Sequence, residues 1–172
     1  MGQLVINDGG SIKNFKRTYG GTYYGIIYNN GQLDINGGSI TNNEISSNTV
    51  DSVIFNCRKL NIAGGEISNN SITSYDGYIV MVRGSSAEFT MTGGKIVSNN
   101  VRKTVIQLAQ DDSSYQGSAT ITKGTIANNK GYSYSDDNFT ADARDISIGA
   151  SLTKLTLNGT AEIGTIETNV KN

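Results

Sequence analysis

The sequence predicts an all-β chain wound as a parallel β-helix of about five to six coils with three short strands per coil. Three observations carry this. One stretch, Leu33-Asp34-Ile35-Asn36-Gly37-Gly38-Ser39-Ile40-Thr41-Asn42-Asn43, returns in copies that begin at Leu4, Leu60, Phe89, Ala119 and Leu155. The spacing is regular, since Leu33 to Leu60 is 27 residues, Leu60 to Phe89 is 29 and Phe89 to Ala119 is 30, and periods in this range mark a solenoid. Within each copy apolar and polar residues alternate, the periodicity of a strand.

Each copy then follows in order. Leu4, Leu33, Leu60, Phe89, Ala119 and Leu155 are expected in one interior column, stacked at about 4.8 Å per rung. Beyond a sharp bend, Ile12, Ile40, Ile67, Ile96 and Ile126 fill a second column. Gly10, Gly38, Gly65, Gly94 and Gly124 sit at that bend, where positive φ favours glycine. Asparagine also tolerates this region, so Asn42-Asn43, Asn69-Asn70, Asn99-Asn100 and Asn128-Asn129 are expected at the next corner with their amides stacked as a ladder. Between copies lie further apolar runs, such as Val53-Ile54-Phe55 and Ile79-Val80-Met81-Val82, which supply the third strand. The first and last copies carry one extra residue at the bend, as terminal repeats often do: Ile6 to Ile12 is six positions, against five from Ile35 to Ile40.

The stretch GIIYNNGQLDINGGSITNNE and its relatives QLVINDGGSIKNF, KLNIAGGEISNN, EFTMTGGKIVSNN and ATITKGTIANN resemble the right-handed β-helix repeats of large adhesin-like surface proteins of Gram-positive bacteria, over nearly the whole chain. The resemblance implies a right-handed coil, similar to those of pectate-lyase-like proteins, and an extracellular or cell-surface setting. It brings a scaffold and no catalytic residue, because fold does not imply function.

Composition narrows the function classes. Residues 1–172 suit one domain, expected to be a piece of a longer repeat protein. A formal net charge of −1 gives no basic field for nucleic acid, and no apolar run is long enough for membrane insertion. No charged stretch followed by an apolar core marks a secretory signal. With no histidine, Ser/His/Asp and Cys/His nucleophile systems are unavailable. The single Cys57 follows a strand run and reads as a small core residue.

Insertions between the Asn corner and the next strand share one phase of the coil and should line one edge, where binding residues usually reside. Tyr19, Tyr23, Tyr24, Tyr75, Tyr115, Tyr132 and Tyr134 fall in or beside them. Aromatic faces with polar neighbours suit a glycan or a host or matrix protein; the same residues also serve to cover apolar flanks of the coil. Asp111, Asp112, Asp136, Asp137, Asp142 and Asp145 are the richest supply of acids. Two of them would be needed to cleave a glycosidic bond. Asp136, Asp137 and Asp142 are the candidates for Ca2+, with Arg144 as the base of a lyase-like site, although their spacing matches no known calcium loop.

Three readings result: a non-catalytic structural and adhesive module, a polysaccharide lyase or glycoside hydrolase, and an ice-binding protein. The last would need a flat threonine array, which Thr90, Thr92, Thr120, Thr122 and Thr156 supply patchily. Open solenoid ends also predict self-association, end to end or through strand edges.

Overall fold

The computed structural model describes residues 2–18, 25–47, 49–108, 117–133, 135, 137–149 and 153–168. The first turn holds β1 (Gln3–Ile6), β2 (Ser11–Lys13), β3 (Lys16–Arg17) and β4 (Ile27–Asn29). The second holds β5 (Gln32–Ile35), β6 (Ser39–Thr41), β7 (Glu44–Ile45) and β8 (Val50–Asn56), and the third β9 (Lys59–Ile62), β10 (Glu66–Ser68), β11 (Ser71–Ile72) and β12 (Asp76–Val82). In the fourth turn the two segments flanking the glycine bend merge into β13 (Ala87–Val97), followed by β14 (Asn100–Val101) and β15 (Thr104–Leu108). The fifth comprises β16 (Gly117–Ala127), β17 (Lys130–Ser133), a returning strand β18 (Asn138–Asp142) and β19 (Arg144–Ile148). The last has β20 (Lys154–Ile163) and β21 (Ile166–Thr168).

Stacked turns build three sheets, an all-β parallel solenoid in which β17–β18 is the one antiparallel pairing among the described strands. About four turns are covered on both sides, between end turns covered on one, slightly fewer than the five to six expected. Three sheets per coil hold, but the division differs from the expected one. The segments before and after the glycine bend belong to a single bent sheet, and β3, β7, β11, β14, β17 and β18 form a separate narrow sheet. Its strands β7, β11 and β14 are two residues long, too short to display alternation.

The expected columns are present. Leu4, Leu33, Leu60, Phe89, Ala119 and Leu155 are successive register partners. So are Ile12, Ile40, Ile67, Ile96 and Ile126, with Ile163 added. The third sheet is buried on both faces, as Val53, Ile54, Phe55, Ile79, Val80, Met81 and Val82 are all enclosed. That explains why its strands read as unbroken apolar runs. Cys57 departs from expectation: it is half-buried, packs on the satellite cluster of Phe55, Tyr78 and Met81, and points its thiol at the Tyr28 hydroxyl 3.7 Å away.

The corners are as predicted with two shifts of phase. Gly38, Gly65, Gly94 and Gly124 have positive φ, but in the first turn Gly9 takes that role and not Gly10, because the extra residue displaces the bend. At the second corner Asn14, Asn42, Asn69 and Asn128 adopt φ of 55–60°, and the fourth turn uses Ser98 in their place. The ladder therefore runs through Asn43, Asn70, Asn99 and Asn129, while Asn100 belongs to β14. Each amide donates to the next side-chain oxygen at 2.9–3.0 Å. Each also donates to the carbonyl of Ile12, Ile40, Ile67 or Ile96 one turn back, so a buried row of polar groups is satisfied throughout. A second, shorter ladder pairs Asn29 with Asn56 at 2.6 Å where the third sheet turns back to the first.

Candidate functional site

The narrow sheet positions the site. A left-handed residue (Asn69, Ser98 or Asn128) turns the chain, the buried asparagine after it fixes the height of the rung, and the next strand begins at once. Ile72, Val101 and Gly131 are thereby held in register. The residues that follow them, Thr73, Arg102 and Tyr132, are carried onto neighbouring rungs of one edge.

Arg102 is the centre of the cluster. Its guanidinium carbon lies 4.8 Å from the Tyr132 ring centroid and 5.9 Å from that of Tyr75, and Nη1 donates to the Thr73 carbonyl at 3.3 Å. Each such cation–ring contact contributes about 0.5–1 kcal/mol at an exposed site. Lys103 stands 5.7 Å from the Tyr75 ring and 3.5 Å from the Asp76 carboxylate. Tyr132 meets Phe139 edge to face at 5.5 Å, and its hydroxyl donates to Asp137. Tyr75 caps the cluster with 62% of its surface exposed. The result is a strip in which aromatic faces alternate with cations, fixed to a stiff sheet.

Two of the predicted tyrosines, Tyr75 and Tyr132, are thus brought together through one arginine. Tyr19, Tyr23, Tyr24, Tyr115, Tyr134 and Asp136 lie outside the described residues. Arg102, Lys103 and Phe139 escaped the sequence reading. The signal was available for Arg102: counted from the buried asparagine, Arg102 and Tyr132 occupy the same position of successive turns.

Asp111 and Asp112 also lie outside the described residues, and among the described acids Asp137 and Asp142 do not converge. Asp137 lies at the tip of the β17–β18 hairpin and Asp142 at its base, separated by an extended strand on the order of 13 Å long. Asp142 pairs with Lys130 at 2.9 Å, and that hydrogen bond and charge hold its carboxyl below the ordinary carboxylate value. Arg144 is engaged by Glu167 at 2.8 Å. Among the described residues no group of three or more His, Cys, Asp or Glu is placed to hold a metal ion.

Asp145 has a structural position. It terminates the asparagine ladder, accepting from Asn129 and from the backbone N–H groups of Gly164 and Thr165 at 2.8 and 3.1 Å. Burial pushes its carboxyl above the ordinary value, against the pull of those donors. Asp34, on the outer face of the first sheet, behaves oppositely: partial burial would raise it, but bonds from Asn61, Gln3 and Gln32 outweigh that and hold it low. On the same face Thr90, Thr120 and Thr156 stack into a single column that continues Asp34 and Asn61, and Thr92 pairs with Lys123.

No family model, curated protein or solved structure matches this chain.

Proposed function

We propose that this β-solenoid is a non-catalytic structural and adhesive module of a bacterial cell-surface or secreted protein, presenting its narrow edge to a glycan or a host or matrix protein. The observation that carries the reading is the Tyr75–Arg102–Tyr132 strip. The exposed Tyr75 ring and the half-buried Tyr132 ring, interleaved with cations, match the planar apolar faces and hydroxyl rims of sugars, and equally the mixed surface of a protein. Pre-organisation supports it as well. The asparagine ladder and stacked rungs beneath the strip leave little ordering to be lost on binding. The resemblance of the repeats to adhesin-like coils points the same way.

The test is a panel of complex polysaccharides and matrix proteins incubated with excess protein, with and without calcium, scoring retention and newly released sugar ends together. Retention without release is the expected result. Release of reducing or unsaturated ends, abolished by Asp137→Asn or Arg144→Ala, would replace this reading with a polysaccharide-cleaving one.

A further inference from the structure

We propose that the ligand of the Tyr75 strip is an uncharged glycan, a chain of neutral sugars, rather than an acidic polysaccharide or a protein. The inference rests on the recognition reading given above and names the ligand class for the same edge.

Charge on the edge is matched from within. Lys103 stands 3.5 Å from the Asp76 carboxylate. Arg102 and Asp137 meet one tyrosine, the guanidinium over the Tyr132 ring and the carboxylate at its hydroxyl. The cations that border the strip are paired too, Lys130 with Asp142 at 2.9 Å and Arg144 with Glu167 at 2.8 Å. A polyanion is drawn by a surplus of positive charge, and these pairs leave none. An acidic chain laid along the strip would instead approach the carboxylates of Asp76 and Asp137.

The same groups suit a sugar without charge. Asp76 and Lys103 have side chains 26% and 39% exposed, so both reach solvent beside the Tyr75 ring, from whose centroid Lys103 is 5.7 Å away. A hexose stacked on Tyr75 sets its apolar face on the ring. Its hydroxyl rim then lies between an acceptor, Asp76, and a donor, Lys103, and hydrogen bonds to ionised partners are about twice as strong as neutral ones.

A protein partner would need more apolar surface than the edge provides. Protein interfaces bury about 800 Å² on each side around an apolar centre. Among the described residues of the third, fourth and fifth turns, Tyr75 is the one large apolar side chain classed with the exposed. One exposed ring flanked by polar groups has the dimensions of a sugar subsite.

The test passes wild type and Tyr75→Ala over immobilised neutral polysaccharides (cellulose, mannan, chitin), acidic ones (polygalacturonate, hyaluronan, heparin) and matrix proteins (collagen, fibronectin). Each is run at low salt and at about 1 M, where the Debye length is about 3 Å. The expected result is Tyr75-dependent retention on a neutral polysaccharide, equal at the two salt concentrations and absent from the acidic and protein members. Tyr75-dependent retention on an acidic polysaccharide or a matrix protein overturns this inference and leaves the recognition reading standing. Neutral retention that high salt abolishes also overturns it, and absence of retention on every member overturns the inference and the reading together. Asp76→Ala removes the acceptor and is expected to weaken neutral retention about tenfold, the scale of one hydrogen bond to a charged group. Asp76→Asn, which keeps the side chain's size, guards against loss of fold and should also weaken it; retention unchanged in both variants overturns the role of Asp76.

Discussion

Asn99 shows how much a single residue carries. It accepts from the amide and backbone N–H of Asn70 and donates to Asn129 and to the Ile67 carbonyl, all out of contact with water. Asn99→Ala strands those partners, and a loss of about 3 kcal/mol is expected by urea unfolding, since each orphaned buried group costs about 1–3 kcal/mol. Its neighbour Ser98 occupies the left-handed position that asparagine fills in four other turns. Ser98→Asn should therefore raise stability by roughly 0.5 kcal/mol, a fraction of the left-handed penalty. Asp145 predicts a pH effect whose sign follows from its environment. Its folded carboxyl titrates above 3.8, so the native state holds more protons than the unfolded chain over the interval from 3.8 up to the raised value. This group's contribution is complete below that interval and declines as pH rises through it. Asp145→Asn keeps an acceptor for Asn129 and cannot ionise, so its stability relative to wild type should climb across the interval; a constant difference from pH 3 to pH 6 would contradict the assignment. The ladder was legible from paired asparagines, but not its phase at Ser98-Asn99-Asn100, where three residues offered two pairings. Nor was Asp145 legible as its terminus, because that requires the last turn to bypass the narrow sheet.

At the scale of elements, the glycine bend is held by close approach of backbones as much as by dihedral angle. A Cβ placed on Gly93 would sit 2.3 Å from the Ala63 carbonyl oxygen, which belongs to the rung itself and cannot move aside. At Gly9 nothing lies within 4 Å, and only the φ of +81° penalises a side chain. Gly93→Ala is accordingly expected to cost about 3 kcal/mol as an overpacking lesion, and Gly9→Ala about 1–2 kcal/mol; thermal unfolding of the two variants should rank them in that order. The long strands were legible because their residues alternate or run apolar over several positions. The narrow sheet was not, since a pair such as Glu44–Ile45 or Ser71–Ile72 shows no period on its own. That gap concealed the site, because the edge that gathers Tyr75, Arg102 and Tyr132 is the continuation of those short strands.

Across the whole molecule, the repeat specifies the scaffold and the departures from it specify the surface. Spacing of 27 to 30 residues sufficed to place both interior columns. The residues proposed for binding lie instead where successive copies differ, so only the stacked geometry reveals that Tyr75 and Tyr132 share a guanidinium. The central claim is that the aromatic and basic strip is a recognition surface carried on a rigid coil. Its most direct test is retention of wild type and Tyr75→Ala on the polysaccharide and matrix-protein panel, each checked for its unfolding midpoint. With 62% of its surface exposed, Tyr75 can be removed without loss of fold. The account predicts an unchanged midpoint and about tenfold weaker retention, the scale of one stacked aromatic contact. Retention indifferent to Tyr75→Ala, or no retention of wild type on any member of the panel, would contradict it.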